Sequence, residues 1–254
     1  MAARLDGTVA LITGASSCIG AASAHALTDQ GAAVALAARR EDRLEQLAED
    51  ITQSGGHALV IEADVANKAQ AQTAVARTVA QLGRLDILVN NAGLGPAGPS
   101  ENAPLDQWEQ LVRVNVLGML YTTHAALPHL LRAAADGLRR VADLVNISST
   151  EGRVARRGEG VYAATQFGVV AFSESLRQEV TTRHVRVSVV EPGATATELA
   201  GHVRDEVRQQ TLQFLSGGEP LAAEAIADAI QYIVTRPRRV AINELLVRPA
   251  ELEA

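Results

Sequence analysis

Two kinds of apolar pattern alternate along the chain. Short β-branched runs, apolar at successive positions as parallel strands covered on both faces allow, are separated by alanine-rich segments whose apolar residues recur at helical spacing. Thr8–Thr13 is the clearest predicted strand, followed by a helix over Ile19–Gln30 that Gly31 ends. Further strands are predicted at Ala33–Ala38, Ala58–Glu62, Leu85–Asn90, Ala142–Ser148, Val185–Glu191 and Ala241–Val247. The helices between them are expected at about Arg43–Gln53, Lys68–Leu82, Leu105–Ala134, Tyr162–Thr182 and Ala222–Thr235. Repeated strand-helix-strand units of this kind predict an α/β chain, a doubly wound parallel sheet of about seven strands with helices on both faces. No Ser/Gly-rich linker, charge block or long repeat interrupts the alternation, so a single domain over 1–254 is expected. Ala194–Gly218 is too long for a simple connection and is the expected mobile lid.

Composition sharpens this picture by exclusion. With 254 residues and 47% apolar side chains the chain can bury one large core, and with only 3% aromatic residues that core must be filled by Val, Leu, Ile and Ala. The balance of 23 basic against 29 acidic residues, net −6, leaves no broad cationic surface and argues against nucleic acid as a partner. No apolar stretch approaches the ~18 residues of a membrane helix, which argues against membrane spanning. Met1–Gly20 lacks the pattern of a secretory leader, and the single cysteine, Cys18, cannot form an internal disulfide, so a reducing cytoplasm is the expected compartment.

Candidate chemistry enters where the first strand meets the first helix, at Thr13-Gly14-Ala15-Ser16-Ser17-Cys18-Ile19-Gly20. The N–H groups and dipole of a helix N-terminus attract anions, and glycines let a pyrophosphate approach the backbone. A turn needing positive φ would carry similar residues, so the motif depends on its context. The second strand ends Ala37-Ala38-Arg39-Arg40, without the carboxylate that would accept hydrogen bonds from an adenosine ribose. An arginine there can grip a 2′-phosphate, which favours NADP(H); the alternative is that Arg39 and Arg40 are solvated and pair with Glu41 or Asp42.

With Asn90-Asn91-Ala92-Gly93 after the fourth strand, Asn115 in the long helix, Ser148-Ser149 after the fifth strand, Tyr162 opening a helix, and Pro192-Gly193 after the sixth, the sequence resembles the short-chain dehydrogenase/reductase family. The resemblance covers nearly the whole chain, with TGxxxGxG as the family's glycine pattern. The opening half and the close Asn243-Glu244-Leu245-Leu246-Val247-Arg248-Pro249 most resemble the NADP-dependent subset that includes the clavulanate-type dehydrogenases.

The resemblance implies a Rossmann-like sheet in the order 3-2-1-4-5-6-7. It implies hydride exchange between nicotinamide and a small-molecule carbonyl or alcohol, with Tyr162 as acid/base, Ser149 orienting the substrate oxygen and Asn115 holding a water relay. The thirteen-residue step from Ser149 to Tyr162 favours Ser149 over Ser148. Cofactor contacts are implied at Gly14, Ser16, Ser17, Cys18, Ile19, Gly20, Arg39, Arg40, Asp64, Val65, Asn91, Ala92, Gly93, Tyr162, Gln166, Pro192, Gly193, Thr195 and Thr197, and no metal is expected. Asp64 would contact adenine or cap the next helix. A homodimer or homotetramer through Leu105–Ala134 and Tyr162–Thr182 is also implied.

Three positions depart from the family. The lysine expected one turn after the tyrosine is Gln166, which can share hydrogen bonds but carries no charge to stabilise a tyrosinate. Without that cation Tyr162 is expected to titrate near ~10 and stay protonated at neutral pH, which suits proton donation in a slow, reduction-biased enzyme. Cys18 replaces the middle glycine, either as a small side chain tucked against the sheet or as a thiol whose oxidation gates the cofactor. Glu151 either faces the substrate and favours a polar or cationic group, or pairs with Arg153 or Arg156. Two rival functions follow from these departures: a non-catalytic scaffold or cofactor-binding protein, and a non-redox dehydratase or epimerase at the same site.

Overall fold

The computed structural model describes residues 5–198 and 218–251. Seven parallel strands form one sheet in the order β3-β2-β1-β4-β5-β6-β7. They are β1 (Val9–Thr13), β2 (Ala33–Ala38), β3 (His57–Glu62), β4 (Ile87–Asn90), β5 (Ala142–Ile147), β6 (Val185–Pro192) and β7 (Glu244–Val247). The order reverses between β1 and β4, and in open parallel sheets that switch point opens a crevice at the carboxyl ends of the strands.

Helices α1 (Cys18–Asp29), α2 (Glu41–Gln53) and α7 (Ala223–Val234) share one apolar layer with the sheet, built from residues such as Leu27, Leu44, Ile51, Ile226 and Ile230. On the other face α3 (Lys68–Leu82), α5 (Met119–Asp136) and α6 (Gly160–Val180) bury Val75, Leu130, Leu176 and Val180. The predominance of aliphatic side chains and alanine in both layers is what the low aromatic content predicts.

Several element boundaries differ from expectation for local reasons. β4 starts at Ile87, just after Asp86, whose carboxylate accepts the Val9 N–H at 3.0 Å. β7 starts at Glu244 and not at Ala241: just upstream, the Arg186 guanidinium donates to the carbonyl oxygens of Arg236, Pro237 and Val240, holding that segment in a turn.

The long segment expected as one helix is three pieces: α4 (Leu105–Leu111), a π-helical turn over Val112–Gly118, and α5. Such turns recur at functional sites, and this one contains Asn115. Most of the expected lid, 199–217, lies outside the described residues. Its near end is anchored where Ala196 N–H donates to Leu221 O at 2.8 Å and Leu221 N–H to Ala194 O at 2.9 Å.

Candidate active site

A cleft at the carboxyl ends of the strands gathers most of the expected site residues. Gly14, Ser16, Ser17, Cys18 and Ile19 line it, as do Arg39, Arg40, Asp64, Val65, Asn91, Ala92, Gly93, Pro192, Gly193 and Thr197. Asn115, Ser149, Tyr162 and Gln166 line the same space. Gly20 and Thr195 do not. Gly20 packs behind the loop, and Thr195 turns its hydroxyl back to Gly193 O at 3.0 Å.

The glycine-rich loop is tied to the end of β4. The Thr13 hydroxyl accepts the N–H groups of Asn91 and Ala92 at 3.0 and 3.1 Å, and the Asn91 amide donates to Thr13 O and Gly14 O. Such closeness requires glycine: a Cβ on Gly14 would sit 2.8 Å from Ala92 Cα, and one on Gly20 would meet Gly14 O at 2.3 Å. Ser17 precedes α1 without a side-chain capping bond, and no acidic residue occupies the helix's first turn. This end of α1 is therefore suited to a phosphate anion.

Cys18 opens α1 at φ +48°, in the left-handed region where a Cβ is penalised by roughly 1–2 kcal/mol. Its sulfur is not tucked against the sheet; Sγ accepts the Glu198 N–H at 3.2 Å. Cys18→Gly should therefore raise stability by about 1 kcal/mol and the melting temperature by about 2–4 °C. Thermal unfolding without cofactor measures this, and an unchanged or lower midpoint would show that the left-handed backbone costs the protein nothing.

At the end of the cleft that follows β2, Arg40 does not pair with Glu41 or Asp42. It reaches Ser16 Oγ at 3.1 Å and the Glu198 carboxylate at 2.7 Å, while Arg43 holds the other oxygen of Glu198 at 2.5 Å. Hydrogen bonds from Arg43 and then Arg40 hold the Glu198 carboxyl well below its usual range, to about 2. Glu198 and Arg43 were not legible as site residues, because 155 positions of chain separate them. Asp64 does not cap α3. Its carboxylate accepts from Ala66 N–H at 3.0 Å, and Asn67 is the cap, accepting from Ala69 and Gln70.

At the other end of the cleft, a buried polar ladder fixes the strand ends. Asn90 donates to Thr123 Oγ1 and to Asn146 Oδ1, both at 2.9 Å, and Asn146 in turn donates to Ser173 Oγ at 2.8 Å. Asn115 clamps the loop after β4, accepting Leu94 N–H at 2.8 Å and donating to Leu94 O at 3.0 Å and Thr165 Oγ1 at 3.2 Å. Its amide thus ties the loop after β4 to α6.

Tyr162 is 8% exposed, Ser149 7% and Gln166 6%, so the three polar side chains meet in a nearly dry corner. Burial pushes the phenol pKa upward, above the ~10 expected from sequence. Ser149 and Gln166, hydrogen-bonding toward it, pull down; the nearby Glu151 and Glu159 carboxyls push up. The phenol is therefore held protonated more firmly than the loss of the lysine alone implied. Gln166 Oε1 is buried with no donor. A buried acceptor left unpaired is costly, so this oxygen fits a ligand hydroxyl, as on a cofactor ribose.

Glu151 pairs with Arg156 and not with Arg153, and it also accepts the Ser149 hydroxyl and, at 3.0 Å, that of Thr150. Arg153 bridges the buried Glu191 and the exposed Glu244. Glu159, which sequence reasoning missed, lies against Glu151; burial first, then the Glu151 charge, raises its pKa to about 7. The folded chain keeps this proton up to about pH 7 whereas an unfolded carboxyl releases it near 4.5, so this group makes stability fall as pH rises between those values.

The comparisons with known proteins agree with this geometry. A family model described as short chain dehydrogenase matches residues 8–208. A glycine betaine reductase of Emericella nidulans is 39% identical over 97% of the chain, although the match spans only 19% of that longer protein. A 3-ketoacyl-(acyl-carrier-protein) reductase from Brucella melitensis, solved with NADH, superposes at TM-score 0.86 with 28% identity, covering 98% of this chain and 99% of its own. A serine dehydrogenase solved with NADP+ superposes at TM-score 0.87 with 30% identity, covering 97% of each chain. Among the described residues no helix is long and apolar enough to cross a membrane and no cluster of metal-ligating side chains exists. With the family model matching most of its length and the cleft where that fold binds dinucleotides, the chain belongs to the short-chain dehydrogenases and is a short-chain oxidoreductase.

Proposed function

We propose that the protein reduces a ketone or aldehyde to an alcohol with NADPH, using Tyr162 as the proton donor and working far faster in this direction than in reverse. The observation that carries the reading is the buried Tyr162 phenol in one corner of the cleft with Ser149 and an uncharged Gln166. When bound, the reduced nicotinamide supplies a hydride to the carbonyl carbon. The end of α1 and the Gly14 cradle would hold the pyrophosphate, Gln166 a ribose hydroxyl, and Arg40 and Arg43 the 2′-phosphate in place of the Glu198 carboxylate.

The chain's own contribution is placement and a proton. Ser149 Oγ, beside the phenol, positions the substrate oxygen, and a low-polarity corner strengthens hydrogen bonds made to the developing alkoxide. A phenol that stays neutral is ready to donate, whereas alcohol oxidation needs a phenolate, which burial and two neighbouring carboxyls disfavour here.

The direct test is NADPH consumption over a panel of ketones and aldehydes, with NADH run in parallel, against oxidation of the matching alcohol by NADP+ at neutral pH. The expected result is measurable reduction, preference for NADPH, and much slower oxidation. Equal rates in the two directions at saturation would contradict the reading, and tight NADPH binding without turnover on any carbonyl would favour a non-catalytic descendant.

A further inference from the structure

Two arginines at the β2 end of the cleft hold a carboxylate that the chain delivers from beyond β6. The Arg40 guanidinium is oriented by Ser16, donating from Nε and Nη2 to its Oγ at 3.2 and 3.1 Å, and its Nη1 meets Glu198 Oε2 at 2.7 Å. Arg43, in the first turn of α2, donates to the other oxygen, Oε1, at 2.5 Å. Glu198, Arg40, Ser16 and Cys18 line the cleft together with the glycine-rich loop. The backbone under Glu198 is pinned: its N–H donates to Cys18 Sγ at 3.2 Å, and two residues earlier Ala196 N–H donates to Leu221 O at 2.8 Å. The side chain is held less firmly, being 42% exposed and bound by ion pairs that water screens. Rotation of the side chain alone frees both arginines.

From this arrangement we infer that Glu198 sets the breadth of coenzyme choice by taking two positions. It withdraws from Arg40 and Arg43 when the 2′-phosphate of NADPH arrives, and it stays to accept the ribose 2′-hydroxyl when NADH binds. The inference rests on the proposed seating of the 2′-phosphate on these two arginines.

The chemistry of the two positions differs. The end of β2, Ala37-Ala38-Arg39-Arg40, carries no side-chain acceptor for a ribose hydroxyl, and Glu198 brings one to the same place from another part of the chain. A carboxylate has about four lone-pair sites, and the two arginine bonds leave room for a hydroxyl, so NADH binds with both ion pairs intact. A phosphate cannot share in this way. Two anions on one pair of guanidiniums repel, and the phosphate, with more oxygens and more charge, makes the stronger charge-assisted bonds and takes the place. NADPH therefore binds against the loss of two ion pairs while NADH gains an acceptor. Glu198 narrows the preference for NADPH that Arg40 and Arg43 create.

Fluorescence titrations with NADPH and with NADH, wild type beside Glu198→Gln, test this without any turnover. In the variant the Kd for NADPH should fall by about 3–10-fold and the Kd for NADH should rise by about 3–10-fold, the worth of one or two exposed charge-assisted contacts. The opposite signs are the signature, because a merely structural role moves both constants the same way. Glu198→Ala removes the same carboxylate and serves if Glu198→Gln does not fold. A ratio of the two constants that stays at its wild-type value overturns the inference, and so does a Kd for NADH that does not rise. Arg43→Gln separates this failure from that of the proposed coenzyme site. If Arg43→Gln binds NADPH as tightly as the wild type, the 2′-phosphate is not held there and the proposed site falls, taking the role of Glu198 with it. If Arg43→Gln binds NADPH more weakly while Glu198→Gln keeps the wild-type ratio, only the role of Glu198 fails.

Discussion

Tyr162→Phe lowers kcat for carbonyl reduction by about 10²–10⁴-fold, the usual worth of a positioned general acid, while NADPH binds almost as before. The side chain is buried and the substitution removes one oxygen from a packed ring, so the helix and its neighbours keep their positions. The Ser149 hydroxyl keeps its bond to Glu151, and the Gln166 amide is the neighbour that loses a partner. A stability loss of no more than a buried hydrogen bond, about 1 kcal/mol, should therefore accompany the loss of activity. Steady-state reduction kinetics beside a fluorescence titration with NADPH separate the two effects. A variant that retained most of its kcat would remove the phenol from the chemistry and turn attention to Glu151 and Glu159 as direct donors.

How much of this could be read from sequence divides along a physical line. Strands and helices were legible because period and burial are local: Ala33–Ala38 and Lys68–Leu82 are as expected to the residue. The gathering of Gly14, Asn91, Asn115, Ser149 and Tyr162 in one cleft was legible through the strand order, since each follows a strand's carboxyl end or lies on a helix packed beside it. What escaped depends on side chains meeting across long sequence separations. Glu198 between Arg40 and Arg43 is one case. Another is Glu159, whose sequence neighbourhood Arg156-Arg157-Gly158-Glu159 looks like an ordinary solvated turn. Its burial depends on the loop before α6, in which Arg156 pairs with Glu151. The π-helical turn was hidden for a different reason: residues 112–118 keep a pattern compatible with an α-helix, and only the Asn115 clamp on Leu94 reveals why that stretch departs from one.

Gln166→Lys should shift the enzyme toward alcohol oxidation more strongly than any other single change. Residue 166 lies one turn after Tyr162 on the same helix face, so an ammonium there would stand near the phenol oxygen. A charge pair at ~4 Å in an effective dielectric of ~20 is worth on the order of 4 kcal/mol, about three pKa units. Lowering the phenol by that much raises the phenolate fraction at neutral pH by up to ~10³, and oxidation by NADP+ should rise by about 10²–10³-fold. Burial works against the gain, because a lysine at a site 6% exposed is pushed toward its neutral form. The nearby carboxyls Glu151 and Glu159 work for it, and the wild-type amide oxygen already lacks a partner, so the substitution breaks no bond to Oε1. In the wild type oxidation should keep climbing with pH well into the alkaline range, following the raised phenol; in the variant the rise should level off at lower pH. The ratio of oxidation to reduction, measured against pH for both proteins, reads this directly. An unchanged ratio would mean that residue 166 does not set the charge on Tyr162, and the direction of the reaction would then have to be sought in the Glu151–Glu159 pair.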